Sequence, residues 1–214
     1  MQSLTKKIII FLVFALPSFA VQAEGYHVEL VIFANLRQVT DGEVSQTVMA
    51  YPDYSNSLEP GGGNEAGNPF RLLSSGFYKL DAVYNQLKTS GMYRPLVHMA
   101  WQQPALQGDN ARSVHILKTD PGDAEHAGAT LVKIDGTVRV RASQFLHVDV
   151  DLLYFVDALP QSDIHPAGDT AVTGTPQFKY ARMREMRRMK LNELHYFDHP
   201  LFGMIMHISR AGAQ

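Results

Sequence analysis

Apolar and polar residues alternate, or run together in short blocks, along most of this chain, which is the signature of strands rather than helices. Tyr26 to Ala34 alternates and then turns apolar, which predicts a half-buried first strand. Ala129 to Arg141 and Phe145 to Phe155 form a predicted antiparallel pair around a turn at Ala142 to Gln144, with Gly136 expected to mark a bulge. In the second of these strands Leu146, Val148, Val150 and Leu152 share one face and His147, Asp149 and Asp151 the other, so one face is buried and the other wet. Shorter strands are predicted at Leu96 to Trp101 and Ser113 to Lys118, with a loop over Pro104 to Asn110 between them. The helical period is clearest where Leu80, Val83, Tyr84 and Leu87 fall at i, i+3, i+4 and i+7. This predicts a helix capped by Ser74 or Ser75, running to about Thr89, with Gly91 at its stop.

Two regions resist a single period. The residues from Asn35 to Arg71 are rich in turn formers, among them Asp41-Gly42, Glu59-Pro60, Gly61-Gly62-Gly63 and Asn68-Pro69, and read as a long surface loop. No Gly-Lys-Ser/Thr follows the glycines, so they do not build a phosphate-binding loop. The stretch from Phe178 to Leu191 is ambiguous, because Met183, Met186 and Met189 recur at helical spacing while Arg182, Arg184 and Arg188 share a strand face. Beyond it, Glu193 to Tyr196 reads as a strand, Asp198-His199-Pro200 as a bend, and Leu201 to Ile208 as a buried terminal strand. The fold class expected is α+β: largely antiparallel sheet with one or two helices and a long N-terminal surface loop.

The N-terminus changes the setting. Lys6 and Lys7 precede nine apolar residues, Ile8 to Leu16, and small-x-small cleavage sites follow at Ser18-Phe19-Ala20 and Val21-Gln22-Ala23. This is the layout of a signal peptide over residues 1–23, leaving 24–214 as a single domain; if that domain divides, the break falls near 104–128. The apolar run is broken by Pro17, Ser18 and Gln22, short of the roughly 20 residues a spanning helix needs. Export to the periplasm follows as the expected location.

Composition narrows the chemistry further. The chain has 214 residues and no cysteine, which excludes thiolate nucleophiles, disulfides and sulfur-ligated metals. Its net charge of -2 offers no global basic field for nucleic acid. Removing residues 1–23 leaves 17 basic against 21 acidic residues, a balance of -4. Six of the basic residues and one acid, Glu185, lie between Lys179 and Lys190, a local charge of +5 that suits an anionic ligand or a solvated basic face.

Among candidate reactive groups, His147, Asp149 and Asp151 share a strand face with the donor types of a metal site, but ligands from elsewhere, such as His195 or His27, would be needed to complete one. Asp198-His199 has the composition of an acid-base pair; no Gly-x-Ser-x-Gly, His-Glu-x-x-His or Ser-x-x-Lys element accompanies it. Trp101, Tyr93, Tyr154, Tyr180 and Tyr196 could stack on sugar rings, although most such residues are core. No metal, cofactor or catalytic constellation is expected, and the residues alone describe an exported binding domain with a basic patch.

The run from Arg184 through Arg187-Arg188 and Glu193-Leu-His195-Tyr196-Phe-Asp198-His199-Pro200-Leu201-Phe202-Gly203 resembles the CsiV family of periplasmic peptidoglycan-binding proteins. Two other stretches agree, Tyr26-His27-Val28-Glu29 with Val31-Ile32-Phe33, and Gly136 with Phe145-Leu146-His147-Val148. Met189-Lys190-Leu191-Asn192 departs from the usual shorter-side-chain turn. The resemblance implies a non-enzymatic Gram-negative wall factor that binds peptidoglycan and helps an outer-membrane lipoprotein activate a penicillin-binding synthase. Stem-peptide carboxylates would then suit planar clamps from Arg182, Arg184, Arg187 and Arg188. Tyr196 offers a stacking surface, and His195, Asp198 and His199 a structural signature or site rim. Two other readings stand beside this one. A metal-dependent wall hydrolase would join the His147, Asp149, Asp151 face to His195 or His199. A protein-protein adaptor without glycan contact would use a sheet edge or the Asn35 to Arg71 loop.

Overall fold

The structure, a computed structural model, describes residues 25–36, 51–61, 67–121, 130–160 and 180–212. The segment expected to be a signal peptide and much of the long loop lie outside the described residues.

The N-terminal strand is as its pattern predicts: β1 spans Gly25–Asn35 and is buried over almost its whole length. It is central because both of its faces are covered, Val28, Leu30 and Ile32 by the second sheet and Val31 and Phe33 by the helix side. On one side it pairs with β4 (Tyr93–Pro104) and on the other with β10 (Phe202–Arg210), both antiparallel. With the short β3 (Arg71–Leu72) and β9 (Leu194–Asp198) these form a first sheet of order β3-β4-β1-β10-β9. The expected strand at Leu96 is longer than its pattern shows, because the register slips between Ile32 and Phe33 and accommodates Pro95 inside β4.

A second sheet, β2-β5-β6-β7-β8, combines β2 (Ser57–Leu58), β5 (Ser113–Pro121), β6 (Thr130–Ala142), β7 (Leu146–Pro160) and β8 (Tyr180–Met189). All its pairs are antiparallel except β2 with β5. The loop after β1 is therefore corrected in part: within its described residues it contributes an edge strand to each sheet, and Phe70 and Leu73 are buried. Gly136 is not a bulge. It pairs in register with both Ile116 and Leu152, while the slips fall at Lys118/Thr119 and Val132/Ile134.

The sheets pack face to face over one apolar core. Val28, Leu30 and Ile32 of β1 and Met204, Met206 and Ile208 of β10 meet Ile134, Val138 and Val140 of β6 and Val148, Val150 and Leu152 of β7. Trp101 belongs to this core and is fully buried; its Nε1 donates to Gln103 Oε1 (2.9 Å), and Gln103 Nε2 donates across the core to the carbonyl of Val140 (3.2 Å). The indole is thus occupied by packing, as are Tyr154 and Tyr180.

The helix α1 (Asp81–Thr89) lies on the outer face of the first sheet, where Leu80, Leu87, Val83 and Tyr84 cover Val31 and Phe33. It begins later than expected. Ser75–Phe77 is a separate single helical turn, and neither Ser74 nor Leu80, which precedes α1, makes a side-chain cap. The cap comes from β1 instead: Glu29, with no exposed surface, accepts the N–H of Lys79 on Oε2 (2.7 Å) and that of Leu80 on Oε1 (2.9 Å). A carboxylate at a helix N-terminus is favoured by both the orphan donors and the dipole.

The ambiguous basic stretch is a strand. β8 pairs with β7 from Met189 opposite Leu146 to Tyr180 opposite Phe155, so Arg182, Arg184, Met186 and Arg188 face outward while Met183, Glu185, Arg187 and Met189 face inward. The spacing of the methionines is accidental to this pairing, and only two of the three share a face. Asn192, with φ 61°, makes the turn into β9, which places the departure at 189–192 in a reversal that an asparagine tolerates.

Candidate functional site

Antiparallel pairing of β6, β7 and β8 sets their outward residues in rows. Thr137, Asp151 and Arg184 form one row, Arg139, Asp149 and Met186 the next, and Arg141, His147 and Arg188 the third. Residues 53–56 stand beside these rows through the parallel contact of β2 with β5, and Asp53, Asn56 and Ser113 complete a cavity of about 520 Å³ whose floor is Thr137, Arg139, Asp149, Asp151, Arg184 and Met186. Among the described residues no aromatic side chain lines it.

The two carboxylates that β7 places on this face are already engaged. Asp149 accepts from Arg139 Nε on Oδ2 (2.8 Å) and from Arg141 Nε and Nη2 (2.9 and 2.8 Å). Burial pushes its carboxyl up, but the two guanidinium groups more than reverse this and hold it below the usual range. Asp151 receives a two-point contact from Arg182, Nε to Oδ1 and Nη2 to Oδ2, both 2.7 Å. Arg184 differs: its side chain is 76% exposed and it approaches Asp151 only to 3.8 Å. Arg188 lies with its guanidinium carbon 4.0 Å from the ring centroid of the exposed Phe145.

Beneath the 51–59 wall, the buried Asp135 is hydrogen-bonded to His115 Nε2 (2.8 Å), and Tyr54 packs edge-on against that imidazole at 5.1 Å. His115 Nδ1 is 3.8 Å from Glu59. Both ring nitrogens therefore face carboxylates, and neither faces Ser113, whose Oγ donates to the carbonyl of Asn56 (3.3 Å). This is a structural tie for the wall and lacks a nucleophile-base geometry.

The residues anticipated as one site separate into two groups. Arg182, Arg184 and Arg188 come together on the outer face of the second sheet. Arg187 turns inward and joins the sheets: its Nη1 donates to the carbonyl of Tyr196 (2.5 Å), its Nη2 to Glu185 (2.7 Å), and its guanidinium lies 4.6 Å from the Phe197 ring centre. It thereby satisfies a carbonyl on the β9 edge and closes the corner between two edge strands. His195 accepts the N–H of Lys190 on Nε2 (3.3 Å), and burial, with Arg187 and Lys190 adding to it, pushes its imidazole below the ordinary value despite Glu193. Tyr196 is on the helix side of the first sheet, stacked on Phe33 at 6.2 Å across Gly203, where a Cβ would come within 2.6 Å of the Phe33 ring; its hydroxyl donates to Asp198 (2.6 Å). His199 Nδ1 accepts the N–H of Leu201 (3.2 Å) and shapes the bend.

The metal-hydrolase arrangement is corrected by this placement. His195 and His199 belong to the β9 region of the first sheet, away from the His147, Asp149, Asp151 face, and among the described residues no cluster of His, Asp and Glu has the geometry to hold a metal ion. Because Arg187 is a tie between sheets, Arg187→Ala should lower stability by about 1 to 2 kcal/mol, whereas Arg188→Ala should leave it within about 0.5 kcal/mol. Urea unfolding of both variants checks this.

Sequence reasoning missed Asp53, Asn56, Ser113, Thr137, Arg139 and Arg141 because only strand register brings them beside Asp149 and Asp151. Glu29 was missed as well, although a carboxylate inside Val28-Glu29-Leu30-Val31-Ile32 is a signal in its own right: a charge in a buried strand needs partners.

Among the described residues no helix is long and apolar enough to cross a membrane. Neither a curated protein nor a solved structure matches the chain. A family model described as "Peptidoglycan-binding protein, CsiV" matches residues 3–211, a span that takes in both sheets, the helix and the arginine-lined face alike. The chain therefore belongs to the CsiV family of peptidoglycan-binding proteins.

Proposed function

We propose that this protein is an exported, non-enzymatic factor of the Gram-negative periplasm that contacts peptidoglycan through the groove on the outer face of its second sheet. In this reading it supports wall assembly by helping an outer-membrane lipoprotein activate a penicillin-binding synthase. The family match supports the wall-binding part, and its start at residue 3 is consistent with a leader that forms part of the family pattern. The observation that carries the choice of face is the groove itself: a concave polar surface where Arg184 is exposed beside arginines fixed by Asp149 and Asp151. Fixed ion pairs hold the floor rigid, and an exposed guanidinium beside them retains donors for a ligand.

Co-sedimentation of residues 24–214 with isolated sacculi tests the proposal. The wild type is expected in the pellet and the Arg184→Glu/Arg188→Glu variant in the supernatant, with the two melting at the same temperature. Raising salt should weaken pelleting, because exposed charges are screened over a Debye length of roughly 8 Å at physiological ionic strength. Equal pelleting of both proteins would move the contact to another surface. No pelleting of the wild type would leave the adaptor role, with a protein partner in place of the wall.

A further inference from the structure

We infer that the groove reads the peptide portion of the wall through a free carboxylate, with Arg184 as the direct contact and Arg188 as a flanking one, and that the glycan contributes little. This inference rests on the wall-binding reading and specifies which chemistry of the polymer the face recognises.

Three observations point the same way. First, arginines on the face differ in their spare capacity. Arg139 and Arg141 are held by Asp149 and Arg182 by Asp151 at 2.7–2.9 Å, whereas Arg184 is 76% exposed and reaches its nearest carboxylate only at 3.8 Å. A guanidinium in that state can present two parallel N–H donors to an incoming carboxylate without breaking an existing pair. Second, the neighbours of Arg184 are suited to a polar, hydrogen-bonding ligand: Asn56, Ser113 and Thr137 line the same cavity. Third, among the described residues the cavity lining holds no aromatic side chain, and the exposed ring of Phe145 on this face already carries the Arg188 guanidinium at 4.0 Å. Sugar rings are recognised largely by stacking on exposed aromatic faces; here the lining carboxylates are held, Asp149 by Arg139 and Arg141, Asp151 by Arg182, Glu185 by Arg187 and Asp53 by Ser55, which leaves the Arg184 guanidinium with amide and hydroxyl neighbours to select an anion or a peptide group. Arg184 and Arg188 are four residues apart on one strand, so their attachment points are about 13 Å apart. That span lets an extended peptide with more than one carboxylate engage both.

The test uses the whole mature chain and three probes prepared from the same sacculi: sugar-free stem peptides released by an amidase, the same peptides with their carboxylates converted to amides, and glycan strands stripped of peptide. Stem peptides are expected to displace the protein from sacculi and to bind in calorimetry. Amidation should weaken binding by about tenfold or more, as loss of a charge-assisted pair requires. Arg184→Gln should produce a similar loss with an unchanged melting temperature, and Arg184→Lys should recover only part of it because the forked geometry is gone. Binding of stripped glycan strands at the affinity of intact sacculi would overturn the inference, as would stem peptides that fail to compete while sacculi still pellet the protein. If the wild type does not pellet with sacculi at all, the wall-binding reading itself has failed, and this inference falls with it.

Discussion

Gly136→Ala is expected to destabilise the protein by about 3 kcal/mol or more, a fall in melting temperature of about 10 °C for a chain of this size. A Cβ built at Gly136 would lie 2.2 Å from the carbonyl oxygen of Asp151 and 2.7 Å from the Cα of Leu152. Both atoms are backbone of the adjacent strand, so no side-chain rotation relieves the contact and β6 must move away from β7. That pair has the longest register of the second sheet, with Val138 and Val140 opposite Val150 and Val148 in the core. The same displacement would pull Arg139 from Asp149, since the two are directly paired. Wall binding should therefore be lost together with stability. Thermal melting followed by circular dichroism checks the first part, and a variant that melts within 2 °C of the wild type would show that the strands can part at small cost.

The alternating patterns made the sheet content legible. β1, the β6-β7 hairpin and β10 all lie within a few residues of where the apolar and polar positions place them, because one face of each is buried and period two is then enforced. The helix was legible from Leu80, Val83, Tyr84 and Leu87, which do pack on the first sheet. Its start was not, because the cap is a residue 50 positions away in sequence, Glu29 to Lys79. The division into two sheets, the parallel contact of β2 with β5 and the strand state of β8 all depend on which strands meet, and a local period carries no such information. The same limit governed the site. Contiguity suggested that Arg184 through His199 act together, but a strand reversal at Asn192 sends β8 to one sheet and β9 to the other. Arg187 and Arg188 are neighbours in the chain and face opposite sides of the strand, so one ties the sheets together and the other stays on the open face.

Glu29→Gln is the second large effect expected: a loss of about 3 kcal/mol at neutral pH and a flatter acid limb of the stability curve. Glu29 is fully buried on the helix-facing side of the first sheet. It accepts two backbone N–H groups of the α1 approach and lies 2.8 Å from His98 Nε2 and 3.5 Å from His27 Nε2. Burial alone pushes this carboxyl up, but His27, the Lys79 N–H, His98 and the Leu80 N–H together bring it down to about 2 from 4.5. The unfolded chain therefore takes up a proton at Glu29 before the folded protein does. The stabilisation is fully present above about pH 4.5 and is lost progressively as pH falls towards 2, a difference of about 3 kcal/mol. Glutamine keeps the shape and one acceptor, but its amide must place a donor against the N–H of either Lys79 or Leu80. The other charged neighbours set what remains. Lys79 donates to Ser209 (2.9 Å), Asp81 stands 3.9 Å from His98 Nδ1, and His207 faces Glu29 from β10. His207 is pushed below 6.5 by burial, with Lys79 and His27 adding to this against Glu29, so its own contribution is lost as pH drops through that range in both proteins. Asp149, also held low, supplies a residual acid loss on the second sheet. Urea unfolding at pH 7 and pH 3 should thus show the wild type losing more stability between the two than Glu29→Gln. Equal losses would mean that the carboxylate does not stay ionised under the helix. A variant as stable as wild type at pH 7 would mean that α1 holds its position by packing of Leu80 and Leu87 alone.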